Sequence, residues 1–138
     1  MHHDIPGNTH DKGITRFRRA AAILLASVWL VNGLGAKLLG LVPRHQWIVA
    51  RFCGADHALL LTNLIGLAEI AMAVWILSGR RRRRCFWAMA AVIVTMNCLE
   101  LWRARDLLLF PVLMPVANAF LLGLAFWWSR PAPDESRH

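Results

Sequence analysis

Ala58-Leu-Leu-Leu-Thr62-Asn-Leu-Ile-Gly66-Leu-Ala-Glu69-Ile-Ala-Met-Ala73-Val-Trp-Ile-Leu77 is a run of 20 residues with a single charged side chain, and Arg80 to Arg84 follow it without interruption. Twenty helical residues rise about 30 Å, the thickness of a bilayer's hydrocarbon layer. With one charged residue in twenty, such a helix has no broad polar face to offer water. Working outward, three similar runs appear: Ala20 to Leu41, Cys85 to Leu101 and Leu107 to Trp128. Cys85 to Leu101 is the shortest and borrows its flanks. The pattern predicts an all-α integral membrane bundle of four transmembrane helices, with spans near 20–41, 58–77, 85–101 and 107–128. These form one membrane domain, 20–128, between polar tails 1–19 and 129–138 that read as disordered. The first run is longer than a signal-peptide core, and Lys37 and Pro43-Arg-His follow it, so it reads as a retained helix.

Composition agrees. Of 138 residues 57% are hydrophobic and 17% charged, yet 16 Lys+Arg face 8 Asp+Glu, a net charge of +8. Four spans put the N-tail, the Arg80–Arg84 connection and the C-tail on one side, with eleven basic residues. The other side holds four: Arg44, Arg51, Arg103 and Arg105. Lys and Arg concentrate on the cytoplasmic side of short connections, so both termini are expected in the cytoplasm of a multi-pass protein of a bacterial inner membrane. Arg80–Arg84 is then an orientation signal that meets anionic lipid headgroups. The arginines interrupt apolar runs and form no groove-facing surface, which argues against nucleic acid. Cys53, Cys85 and Cys98 make no C-x-x-C pair, so membrane dithiol chemistry is not expected. His2, His3 and His10 have no cysteine or carboxylate framework around them, and no metal site is expected.

The informative residues are those that cost most inside a bilayer. At about 1.5 Å per residue, Asn32 and Lys37 fall in the middle and outer half of the first span, Glu69 about 17 Å below the outer surface, and Asn118 at a similar depth. Asn97 and Glu100 lie in the same zone of the third span. At about 100° per residue, Thr62, Gly66, Glu69 and Ala73 share one stripe; Ala90, Ile93, Asn97, Glu100 and Ala104 share another; Gly33, Ala36, Lys37 and Gly40 a third. Small residues let helices approach closely, so these stripes should face inward. The expectation is a small polar cavity in the outer half of the bilayer, built from Lys37, Glu69, Asn97, Glu100, Asn32 and Asn118. Depth pairs Lys37 with Glu100, leaves Glu69 deeper as a neutral carboxyl, and gives Asn97 the task of orienting the carboxylates. The opposing reading is interhelical glue, which suits the asparagines in particular.

The connection from Val42 to His57 reads as a short interfacial helix with Trp47, Ile48 and Phe52 on one side. Arg44, His45 and Arg51 would stand at the cavity mouth. Trp47, Trp102, Trp127 and Trp128 are placed where an aromatic belt is expected, while Trp29 and Trp75 read as packing or lipid-facing.

Five segments, Trp29-Leu-Val-Asn-Gly-Leu-Gly-Ala-Lys37, Pro43-Arg-His-Gln-Trp-Ile-Val-Ala-Arg51, Leu64-Ile-Gly-Leu-Ala-Glu69, Thr95-Met-Asn-Cys-Leu-Glu100 and Asp106-Leu-Leu-Leu-Phe110, resemble in their order the DoxX-like small membrane proteins. The resemblance runs from about residue 25 to 125 and implies a four-helix bacterial membrane protein. Some such relatives are subunits of a thiosulfate:quinone oxidoreductase, which implies an accessory subunit beside an oxidoreductase partner or a quinone. The chain's own residues offer no haem ligand pair, flavin fingerprint or paired cysteines, so no cofactor is expected on it. A small-molecule transporter and a purely structural or assembly protein remain open as alternatives.

Overall fold

Inside an apolar layer the backbone has no water to bond, and a helix satisfies its own N–H and C=O groups. Every described element is a helix. The computed structural model describes residues 8–103 and 113–131. The helices are α1 (Asn8–Leu30) with a π-helical extension (Val31–Leu38), α2 (Arg44–Cys53), α3 (Ala55–Ser78), α4 (Arg82–Arg103) and α5 (Leu113–Ser129). Three stretches are long and apolar enough to cross a membrane: Lys12–Leu38, Ala55–Ser78 and Arg82–Trp102. Leu113–Ser129 is apolar but has 17 residues. The beginning of the expected fourth span, 107–112, lies outside the described residues, as do 1–7 and 132–138.

The helices are built for lipid. On α3 the buried residues are Ala58, Thr62, Gly66, Glu69, Ala73 and Ile76. Leu59, Leu60, Leu64, Leu67, Val74 and Leu77 of the same helix are each more than half exposed. Small and polar residues inside with leucines outside invert the soluble pattern, because lipid tails are as apolar as leucine and close approach decides helix packing. At the Arg80 end, Leu25 and Trp29 of α1, Ala73 and Ile76 of α3, Met89 of α4 and Trp128 of α5 belong to one core. Trp128 is only 2% exposed there, so it is a core residue and not part of an aromatic belt. Trp47 and Trp102 are exposed at 58% and 75%.

Residues 8–19, expected as an unstructured tail, are the first turns of α1. A tertiary clasp holds them: the Arg18 guanidinium donates to the carbonyl oxygens of Arg130 at 2.7 Å and Pro131 at 3.0 Å and lies 5.9 Å from the Trp127 ring. The turn between α3 and α4 is also fixed. Gly79 ends α3 with φ +63°, and the Trp75 indole donates to the Arg80 carbonyl at 2.9 Å.

At the opposite end α1 widens. Leu39 N–H bonds the Leu34 carbonyl five residues back at 2.9 Å, a π-helical bond, and Gly40 then leaves the helix with φ +63°. The wide turn lies where α1 meets α3 at glycines. A Cβ on Gly33 would sit 2.5 Å from the Gly66 carbonyl oxygen, and one on Gly66 would sit 2.8 Å from that of Gly33. Only paired glycines permit this crossing. α2 buries Ile48 and Val49, so its packed side is turned from the expected Trp47/Ile48/Phe52 face, and Trp47 points outward.

Candidate functional site

Gly33 and Gly66 bring two charged side chains together. A Cβ on Gly66 would sit 3.1 Å from the Lys37 Cβ, so the Lys37 stem crosses α3 over Gly66. Its ammonium reaches the next turn and donates to both carboxylate oxygens of Glu69, at 2.8 Å each. The two side chains are 4% and 10% exposed. Such a pair survives in an apolar span only because each charge meets the other directly. This corrects the expected Lys37–Glu100 pair. Depth gives one coordinate only, and the glycine crossing sets the lateral neighbour, placing Lys37 against α3.

The pair forms one wall of a cavity of about 150 Å³. Asn32 and Lys37 reach it from the π-helical extension, Arg44 and His45 from α2, Glu69 from α3, Asn97 and Glu100 from α4, and Asn118 from α5. All six polar residues singled out within the spans therefore border one space, with two of the three outer-connection residues. Arg51 does not line it; it lies on the exposed side of α2. Asn97 is differently employed than expected. Its amide donates to the Ile93 carbonyl at 2.9 Å and accepts from Asn118 Nδ2 at 3.0 Å, so it ties α4 to α5 and does not orient a carboxylate.

A family model described as DoxX-like matches residues 26–127. The chain belongs to the DoxX-like family. No curated protein and no solved structure matches it. Family membership and three apolar helices of spanning length mark a membrane protein, and the matched region contains every residue that borders the cavity.

Acidic and basic side chains face each other across this DoxX-like cavity. Arg44 and Lys37 both act on Glu100 across it. His45, on α2 outside the candidate spans, is drawn down from 6.5 to about 4 by burial first and then by the cations of Lys37 and Arg44. Burial and like charge both disfavour imidazolium, so His45 is neutral near pH 7. Two residues that border the cavity each keep a buried N–H without a partner, Arg44 at Nε and Trp29 at Nε1. Trp29, itself 5% exposed, packs in the core, in line with the sequence reading, and also borders the cavity, which that reading does not assign it. Its position one turn before Gly33 on the face leading to Lys37 was the available signal. The cavity is thus bordered by a fixed ion pair, a second carboxyl group, a guanidinium and side-chain amides, a set able to hold a small ligand by hydrogen bonds. The three cysteines stand apart: Cys85 is buried filler, and Cys53 and Cys98 are exposed.

Proposed function

We propose that this DoxX-like protein is an accessory membrane subunit whose polar cavity holds a small ligand, a quinone head in the first instance, for a quinone-linked oxidoreductase partner. On this reading it crosses a bacterial inner membrane four times with both termini in the cytoplasm. Arg80–Arg84 then rests among anionic headgroups, and the cavity, at the far end of the bundle, opens in the outer half of the bilayer. The charge asymmetry of eleven basic residues against four supports the orientation.

One observation carries the ligand reading: polar side chains from all five described helices border one space, and two of its lining residues hold buried N–H groups without partners. Interhelical glue needs only a bond between neighbours, as Asn97 and Asn118 make. Unpartnered donors beside an ion pair are costly for a purely structural role.

Native mass spectrometry of the protein extracted in mild detergent tests the reading, together with quinone reduction by the source membranes. A co-purifying oxidoreductase subunit or quinone is expected. Glu100→Gln, which leaves the Lys37–Glu69 pair intact, should cut the partner's quinone reduction at least about tenfold at unchanged protein abundance, roughly the value of one lost charge-assisted hydrogen bond. Unchanged reduction with Glu100→Gln and no bound molecule would leave the structural reading standing. Uptake of a solute into liposomes driven by a proton gradient would favour the transporter.

A further inference from the structure

The polar cavity has an apolar neighbour. A cleft of about 390 Å³ lies between α3 and α4, and Trp29, Glu69, Val92 and Met96 border both spaces. The cleft is otherwise walled by apolar side chains with the one hydroxyl of Thr95, and its rim residues Ala68 and Ala91 are small and exposed. It therefore opens sideways, on the surface that carries the exposed leucines of α3. Two features limit what the polar part accepts. Among the described residues that border it, Lys37 and Arg44 are matched in number by Glu69 and Glu100, and His45 is neutral. An added anion or cation would find no bordering charge left over by that match. In size, an apolar protein cavity of roughly 150 Å³ admits benzene, so one ring is the natural scale. An anionic phospholipid headgroup is disfavoured by charge, and size disfavours a zwitterionic one as well.

We infer that cavity and cleft form one continuous site for an electrically neutral, single-tailed amphiphile, with a ring-sized, hydrogen-bond-accepting head in the cavity and its apolar tail between α3 and α4. This rests on the reading of the cavity as a ligand site. Trp29 is the hinge of the arrangement, since its side chain borders both compartments and its indole N–H is an unused donor. The ligand arrives from the bilayer and slides head-first past Ala68 and Ala91, with no need to cross the membrane surface.

The full chain in lipid nanodiscs provides the test. The probes are a benzoquinone with a ten-carbon chain ending in a diazirine, and the same ring bearing a methyl group. Irradiation should label the cleft, at peptides carrying Ile65, Met72 or Thr95, and excess methyl-ring compound should suppress that labelling. Ala91→Trp, or Thr95→Phe should the first not fold, fills the cleft and should cut labelling about tenfold or more while methyl-ring binding stays within about twofold. Labelling spread over the lipid-facing residues of all helices, or unaffected by the methyl ring or by both cleft variants, overturns the inference. Failure of the methyl-ring compound to bind the wild-type protein sinks the ligand reading of the cavity and this inference with it. Binding of the ring without tail labelling in the cleft sinks this inference alone.

Discussion

Lys37 and Glu69 set the energetics at the residue scale. Removing one member of a buried pair leaves a bare charge and costs about 3–5 kcal/mol, whereas removing both is often close to neutral. Lys37→Met alone should therefore lower the melting temperature in detergent steeply, and Lys37→Met with Glu69→Met should recover most of the loss. An additive double variant would mean the pair is not coupled as the 2.8 Å contacts indicate. His45 gives a pH dependence of definite sign. Its folded value, about 4, lies below the unfolded 6.5, so neutral imidazole is the form the fold favours. The stability it contributes is fully present above about 6.5 and is lost as pH falls from there through about 4. Melting temperature measured across that window should fall more in the wild type than in His45→Asn, and equal slopes would show that carboxylates alone account for the loss.

Gly33 and Gly66 decide how α1 and α3 fit, which makes them an element-scale matter. With no room for a Cβ at the crossing, Gly33→Ala must push the helices apart, at a cost of about 1–3 kcal/mol for overpacking. Gly123 of α5 meets nothing within 4 Å, so Gly123→Ala should be neutral or stabilising by up to about 1 kcal/mol through helix propensity. Thermal unfolding of the two variants side by side checks the contrast. The stripes that buried Thr62, Gly66, Glu69 and Ala73 were readable in the sequence because a 3.6-residue period puts small and polar residues on one side while leucines occupy the other. The inventory of cavity residues was readable for a related reason: a polar group in an apolar span is expensive wherever it points. What one strand of sequence could not show was lateral position. Depth alone paired Lys37 with Glu100, and the π-helical turn at Val31–Leu38, which has no compositional signal beyond Gly33 and Gly35, places Lys37 against α3. The helical state of residues 8–19 was likewise hidden, since their polar composition carries no apolar period and the contacts of Arg18 are with carbonyl groups 112 and 113 positions away.

For the whole molecule, the proposed orientation rests on the basic surplus, and the free cysteines make it measurable. Cys53 is exposed on α2, while Cys85 is buried in the core. In intact cells a membrane-impermeant maleimide should label Cys53, and replacing Arg80–Arg84 with glutamine should reduce that labelling by sending part of the population in the other way round. Labelling of Cys53 only after lysis would invert the proposed topology. The Arg18 clasp has a different consequence. It makes α1 and α5 neighbours, so the described helices of the bundle close into a ring. A circular permutant opened between Arg81 and Arg82, with the original ends joined by a flexible linker, would run α4, α5, α1, α2, α3, with its new ends on the side where the old ones were. Such a chain should fold to the same ring and keep the same cavity, which its Cys53 labelling and melting temperature would report.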